Sequence, residues 1–264
     1  MDKLLSALKL RLPPKTEHCR FLFQKKVTLP YKINHMKTVI VTGATGNMGR
    51  AVVKKLLAEG FKVIGTIDPN EKMKKVAGNS RFKLIEVDLK NEAATHKFFA
   101  EVLAKYKRID AAVLTVGGFA MGKIIDTSIK DITQQYQLNF ETAYNIAKPV
   151  FAQMMKQKSG RIFMVGSRPG LNVATGKGMV GYSLAKSLIF RLAEIMNEEA
   201  KGTNVVISVI VPSTIDTAPN RSSMPDADFE SWVKPEAIAT IIHFYCTKEA
   251  AAIREPIIKI YNNA

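Results

Sequence analysis

The chain is poor in the residues that build several protein classes. It has two cysteines, Cys19 and Cys246, in 264 residues, which excludes a disulfide framework and a cysteine-rich zinc site. Four histidines, His18, His35, His96 and His243, fall at no metal-ligand spacing, so no metal is expected. Only 11 prolines and 16 glycines accompany 47% hydrophobic residues, which excludes collagen-like repeats and global disorder. No uncharged apolar run reaches the roughly 18–20 residues of a membrane span. These gaps leave one large domain with a substantial core, in a reducing compartment, with the cytoplasm as the default.

Positive charge is the one surplus: 39 Lys and Arg face 23 Asp and Glu, a formal net charge of +16. Residues 1–36 carry Lys3, Lys9, Arg11, Lys15, Arg20, Lys25, Lys26 and Lys32 against Asp2 and Glu17, with a Pro13-Pro14 break and no apolar period. They are expected to be a basic, disordered extension, and residues 37–264 a single nucleotide-binding domain. A transit leader and a true start at Met36 are the alternatives these residues leave open. The remaining surplus is spread over the body without aromatic-basic interleaving. It therefore reads as a solvated surface that attracts a phosphate-bearing cofactor, with no nucleic-acid or membrane partner.

From Met36 onward strands and helices alternate. Apolar, β-branched runs at Thr38–Val41, Lys62–Ile67, Phe82–Val87, Ile109–Val116, Arg161–Val165, Val205–Val211 and Ile257–Tyr261 predict seven strands. Helices are expected at Arg50–Glu59, Glu92–Tyr106, Ile132–Gln157, Gly181–Lys201 and Pro235–Ala250, with Gly60 as a left-handed helix terminator. Strands that read as continuous apolar runs are buried on both faces. The expected fold is thus an α/β, doubly wound, Rossmann-type sandwich on a mainly parallel sheet, with its ligand site at the strand C-terminal ends.

The first strand runs into Thr42-Gly43-Ala44-Thr45-Gly46-Asn47-Met48-Gly49. Gly43, Gly46 and Gly49 let the backbone approach a pyrophosphate, and free amides over Thr45, Asn47 and Met48 at the helix start attract its charge. Asp68, at the end of the second strand and 19 residues beyond Gly49, suits the adenine ribose hydroxyls and would repel a 2′-phosphate. NAD(H) is therefore favoured. NADP(H) stays possible because Lys72, Lys74 and Lys75 lie close by. Asp88 with Leu89, ending the third strand, is placed for the adenine, and Gly117, ending the fourth, for the inner cofactor.

Two tyrosines stand four residues before a lysine, a spacing that puts both side chains on one helix face: Tyr144–Lys148 and Tyr182–Lys186. Position separates them. Ser167 ends the fifth strand 15 residues before Tyr182, whereas Tyr144 has no such serine upstream and reads as a packing residue. Carbonyl reduction needs a proton donor at oxygen. Lowering a tyrosine of pKa about 10 by three units takes roughly 4 kcal/mol, and an ammonium about 4 Å away at an effective dielectric near 20 supplies that order of energy. Ser167 is placed to hydrogen-bond the oxygen where charge develops.

With these residues in view, residues 37–262 resemble the short-chain dehydrogenase/reductase family. The resemblance implies an NAD(P)-dependent oxidoreductase acting on a small carbonyl or alcohol, with the catalytic set Asn139, Ser167, Tyr182 and Lys186. It implies Tyr182 as acid/base, Lys186 on the nicotinamide ribose, and Asn139 supporting a bound water. It also places Pro212, Ile215 and Thr217 near the carboxamide, and implies pairing of the two long helices between subunits in a homodimer or homotetramer. Asn47 stands where the family pattern has its middle glycine, and Thr115-Val116-Gly117-Gly118 replaces the usual Asn-Asn-Ala-Gly. Both features are similar to dihydropteridine-reductase-like members. A non-catalytic nucleotide sensor on the same fold is the competing reading. The Pro212–Lys234 stretch, with Met224, Phe229 and Trp232 beside Arg221, Asp226 and Asp228, is expected to select the substrate as a lid.

Overall fold

The computed structural model describes residues 36–71 and 79–263. The readings that concern residues 1–35, and those on Lys72, Lys74 and Lys75, lie outside the described residues. Seven strands form one all-parallel sheet in the order β3-β2-β1-β4-β5-β6-β7. They are β1 (Thr38–Thr42), β2 (Lys62–Ile67), β3 (Phe82–Glu86), β4 (Ala111–Leu114), β5 (Ser159–Val165), β6 (Asn204–Pro212) and β7 (Ile257–Ile260). Central strands β1 and β4 are buried at every position, as continuous apolar runs require, while edge strand β3 is only half-buried.

The alternation of side chains along each strand divides the core in two. Ile40 and Ile64 pack on one face with Phe98 of α2 (Glu92–Tyr106), Ile146 of α4 (Thr142–Gln157) and Ile189 of α6 (Val180–Glu199). Val39, Val41 and Val63 pack on the other with Val52 and Leu56 of α1 (Asn47–Ala58) and Ile238 and Ile242 of α8 (Pro235–Tyr245). Full burial of one such side chain contributes about 1.5–3 kcal/mol, so the sheet is anchored from both sides. Because β1 lies between β2 and β4, the crossovers diverge there and leave a crevice at the strand C-terminal ends.

The observed helices depart from the expected ones where polar side chains intervene. α1 starts at Asn47, inside the glycine-rich segment, and α8 stops at Tyr245. The helix expected over Ile132–Gln157 is α3 (Ile129–Tyr136), a π-helical turn at Gln137–Glu141, and α4. Ser128 and Asp131 start α3 with a reciprocal capping box. Two stretches expected as loops hold short helices, α5 (Arg168–Leu171) and α7 (Ala218–Ser223), capped by the hydroxyls of Ser167 and Thr217. Gly60 adopts φ +84°, as its helix-ending position requires.

Candidate active site

The glycine-rich turn is dictated by contact rather than by flexibility alone. Gly43 has φ +59°, and a Cβ on Gly49 would lie 2.1 Å from the Gly43 carbonyl oxygen. This close approach packs the start of α1 against the end of β1. The turn opens onto a cleft of about 400 Å³ whose walls include Gly43, Gly46, Asn47, Met48 and Gly49, then Asp68, Asp88 and Leu89, and finally Gly117. Thr45 lies beneath it, buried, with a hydroxyl that has no partner. Asp68 and Asp88 each spend one oxygen, Asp68 on the backbone and side chain of Asn70 and Asp88 on the Lys90 amide. Each keeps a second oxygen for a ligand. Thr66, Glu71, Thr115, Val116, Leu138 and Thr142 also line the cleft, and nothing in their spacing singles them out beforehand.

A second cleft, of about 680 Å³, lies at the ends of β5 and β6. Ser167, Tyr182, Pro212 and Ile215 line it, together with Phe119, Met121, Arg168 and Met224. Ser167 extends from the end of β5, and its Oγ accepts the Gly170 amide at 3.1 Å. Tyr182 sits in the first turn of α6 with Phe119 edge-on at 5.1 Å between ring centres. Thr217 does not reach the cleft: its hydroxyl accepts the Asn220 amide at 3.3 Å and caps α7. Of the expected lid, Met224 faces the cleft. Phe229 and Trp232 instead pack on each other at 4.8 Å, Arg221 is tied to Asp216 by bonds of 2.6 and 2.8 Å, and Asp228 caps a 3-10 turn at Phe229–Ser231.

Asn139 and Lys186 stand behind these walls, both buried. The π turn presents Asn139 to the end of β4, where its Oδ1 accepts the Gly118 amide at 3.1 Å and its Nδ2 donates to the Gly118 carbonyl at 3.0 Å and to Gln135. Lys186 Nζ donates to the Val165 carbonyl at 2.8 Å. Between them is the bare face of Gly117, where a Cβ would sit 2.7 Å from Asn139 Oδ1 and 3.2 Å from Lys186 Nζ. The glycine thus lets the Asn139 amide and the Lys186 ammonium approach the backbone more closely than any side chain there would allow.

The electrostatics correct one expectation. Burial pushes Tyr182 above the usual phenol range, and a hydrogen bond with Ser167 opposes it. Lys186 Nζ stands 5.9 Å from the centre of the Tyr182 ring, and burial pulls Lys186 itself down to about 8. Desolvation penalises both charged forms and outweighs the Coulomb attraction expected between the pair. The competing pair behaves differently. Lys148 Nζ bonds Glu92 at 3.0 Å on the surface, and Tyr144 is 40% exposed, stacked on Phe140 rather than packed in the core.

A parallel sheet with a glycine-lined nucleotide cleft beside a Ser–Tyr–Lys cluster defines a class, the dinucleotide-dependent oxidoreductases. The family model described as short chain dehydrogenase matches residues 37–228, and the chain belongs to the short-chain dehydrogenase/reductase family. It is similar to the 3-oxoacyl-(acyl-carrier-protein) reductase FabG of Aquifex aeolicus, 26% identical over 242 residues, covering 85% of this chain and 95% of that protein. It is also similar to the acetoacetyl-CoA reductase of an Acinetobacter species, 27% identical over 187 residues, covering 68% and 75%. Among solved structures, ElxO with NADP bound matches with a TM-score of 0.78 at 19% identity, covering 85% of this chain and 97% of that one. The ligand-free aldohexose dehydrogenase of Thermoplasma acidophilum matches at 0.73 and 22%, covering 85% and 92%. The protein is therefore an oxidoreductase of a family that uses NAD(P) on small molecules. Among the described residues no helix is long and apolar enough to cross a membrane, and no cluster of side chains fits a metal ion.

Proposed function

We propose that the protein is an NAD(H)-dependent carbonyl reductase in which Tyr182 is the proton donor. The observation that carries this reading is the single cleft wall shared by Ser167 and Tyr182, with Lys186 and Asn139 buried behind it. A nicotinamide held by these residues would supply the hydride for the carbonyl carbon. The proton goes from the Tyr182 hydroxyl to the carbonyl oxygen, and the product is an alcohol. Ser167 hydrogen-bonds that oxygen as charge builds on it. Burial holds the phenol above its usual range, so Tyr182 carries at neutral pH the proton that reduction requires. Lys186 and Asn139 close against the backbone at Gly117 and place an ammonium and an amide behind Tyr182.

The cofactor is held by residues that fit it. The glycine turn is tight enough for backbone amides to meet a pyrophosphate, and the Thr45 hydroxyl is an orphaned polar group beneath it. Gly43, Thr45, Gly46, Asn47, Met48 and Gly49 take the pyrophosphate end. Asp68, Asp88 and Leu89 take the adenosine, and Gly117, Tyr182, Lys186, Pro212 and Ile215 take the nicotinamide riboside, while Thr217 caps α7 and takes no part. The free oxygen of Asp68 and the neighbouring Glu71 favour NAD(H) over a 2′-phosphate.

Residues 37–264 make up this NAD(P)-binding domain, with 1–36 a basic extension. The unpaired, buried thiol of Cys246 accords with a cytoplasmic setting. The test is NADH consumption with a carbonyl panel by the wild type and Tyr182→Phe. The variant is expected to lose at least about a thousandfold in kcat, the scale of a positioned general acid, while its NADH dissociation constant stays within about twofold. Equal turnover by the two proteins would remove Tyr182 from the chemistry.

A further inference from the structure

Among the described residues, the substrate cleft carries one charged side chain. Its walls are otherwise uncharged, built of Ser, Thr, Asn, Pro, Met, Phe, Val, Ile and Tyr side chains, and the exception is Arg168. This arginine follows Ser167 directly, so it lies beside the point where a carbonyl oxygen would be held. It is half-buried, with its guanidinium over the Tyr261 ring at 5.3 Å from the centre. That contact fixes the plane of the group and satisfies none of its five N–H donors.

Other arginines near the strand ends are spent. Arg221 is committed to Asp216 by two bonds, and Arg50 donates to the Thr45 carbonyl at 2.7 Å. Among the described residues no carboxylate lies within ion-pairing distance of Arg168, and its side chain makes no hydrogen bond. A half-buried guanidinium that a ring orients and that is unpaired among the described residues is open to a ligand. A carboxylate matches its fork with two parallel bonds.

We infer that Arg168 is a specificity-determining residue and that the substrate is an oxo acid: a carbonyl compound bearing a carboxylate that Arg168 binds while Ser167 and Tyr182 hold the carbonyl. The exposed Phe119, Met121 and Met224 at the cleft wall leave room for an apolar carbon chain. This inference rests on the carbonyl chemistry proposed above for Tyr182.

The test compares 2-, 3- and 4-oxopentanoate with their methyl esters, which separates charge from shape and varies the distance between the two groups. For wild type, R168Q and R168K, it measures dissociation constants from the protein–NADH complex alongside kcat and KM. The wild type is expected to bind at least one acid about ten- to a hundredfold more tightly than its ester, the range for a hydrogen bond to a charged group. R168Q is expected to lose that preference and R168K to recover part of it, with NADH affinity unchanged in both. A wild type indifferent to the carboxylate, or a preference that survives in R168Q, overturns the inference. So does an R168Q that weakens NADH as much as the acid, because Arg168 would then serve the cofactor. If acids bind with the preference but none is turned over, the carbonyl chemistry fails while the arginine assignment stands.

Discussion

Lys186 bears the clearest energetic cost of any residue in the site. Burial lowers it from 10.5 to about 8. Between pH 8 and 10.5 the unfolded chain holds a proton that the folded chain has released, so stability from this group rises with pH across that window. Below pH 8 both states are protonated, and the cost is constant at about 3 kcal/mol. Urea midpoints of wild type and Lys186→Met at pH 7.5 and 10 read this directly: the wild type should gain on the variant at the higher pH, and a constant difference would mean Lys186 is solvated. Gly117→Ala is expected to keep the fold and lower kcat more than tenfold by pushing Asn139 and Lys186 aside, checked by circular dichroism alongside steady-state rates. At this scale, the helical spacing and the strand-end serine made Ser167, Tyr182 and Lys186 legible, because each follows from the element that carries it. The solvation of Tyr182 was not legible, since desolvation depends on neighbours far away in sequence, and neither was Arg168, whose meaning comes from the absence of a partner.

The π turn at Gln137–Glu141 shows what periodicity leaves out. A regular helix over Ile132–Gln157 has the right apolar pattern, but one extra residue in a turn rotates Asn139 onto Gly118, and hydrogen bonds to the end of β4 hold it there. Asn139→Ala should therefore lower stability by about 1–3 kcal/mol, the cost of leaving buried groups unpaired, measured by urea unfolding. The strands were the most legible elements, because full burial imposes continuous apolar runs. The short helices α5 and α7 were the least legible, because side-chain caps start them and no apolar period marks them. α2 ends on Lys107 at φ +63°, a left-handed conformation that is strained for a side chain. Lys107→Gly is expected to raise stability by about 0.5–1 kcal/mol in the same assay, and a loss would show that the strain is absent.

At the scale of the whole molecule, the described residues include an exposed apolar face on α6, α3 and α4. Leu184, Leu188 and Ile195 recur along the outer side of α6, and Tyr136 and Tyr144 stand exposed on α3 and α4. Apolar groups in such a stripe favour association, as is typical of this family. Sedimentation should show a dimer or tetramer that Leu188→Glu shifts toward monomer. The all-parallel order with its switch between β2 and β4 was legible from the alternation of elements, because handed crossovers permit few other sheets. The most direct measurement is the fate of deuterium supplied at C4 of the nicotinamide of NADH, with an oxo acid as acceptor. Wild type should place the label on the carbinol carbon of the product in a reaction that Tyr182→Phe all but abolishes. Unlabelled product, or labelled product formed at the same rate by the variant, would contradict hydride transfer with Tyr182 as proton donor.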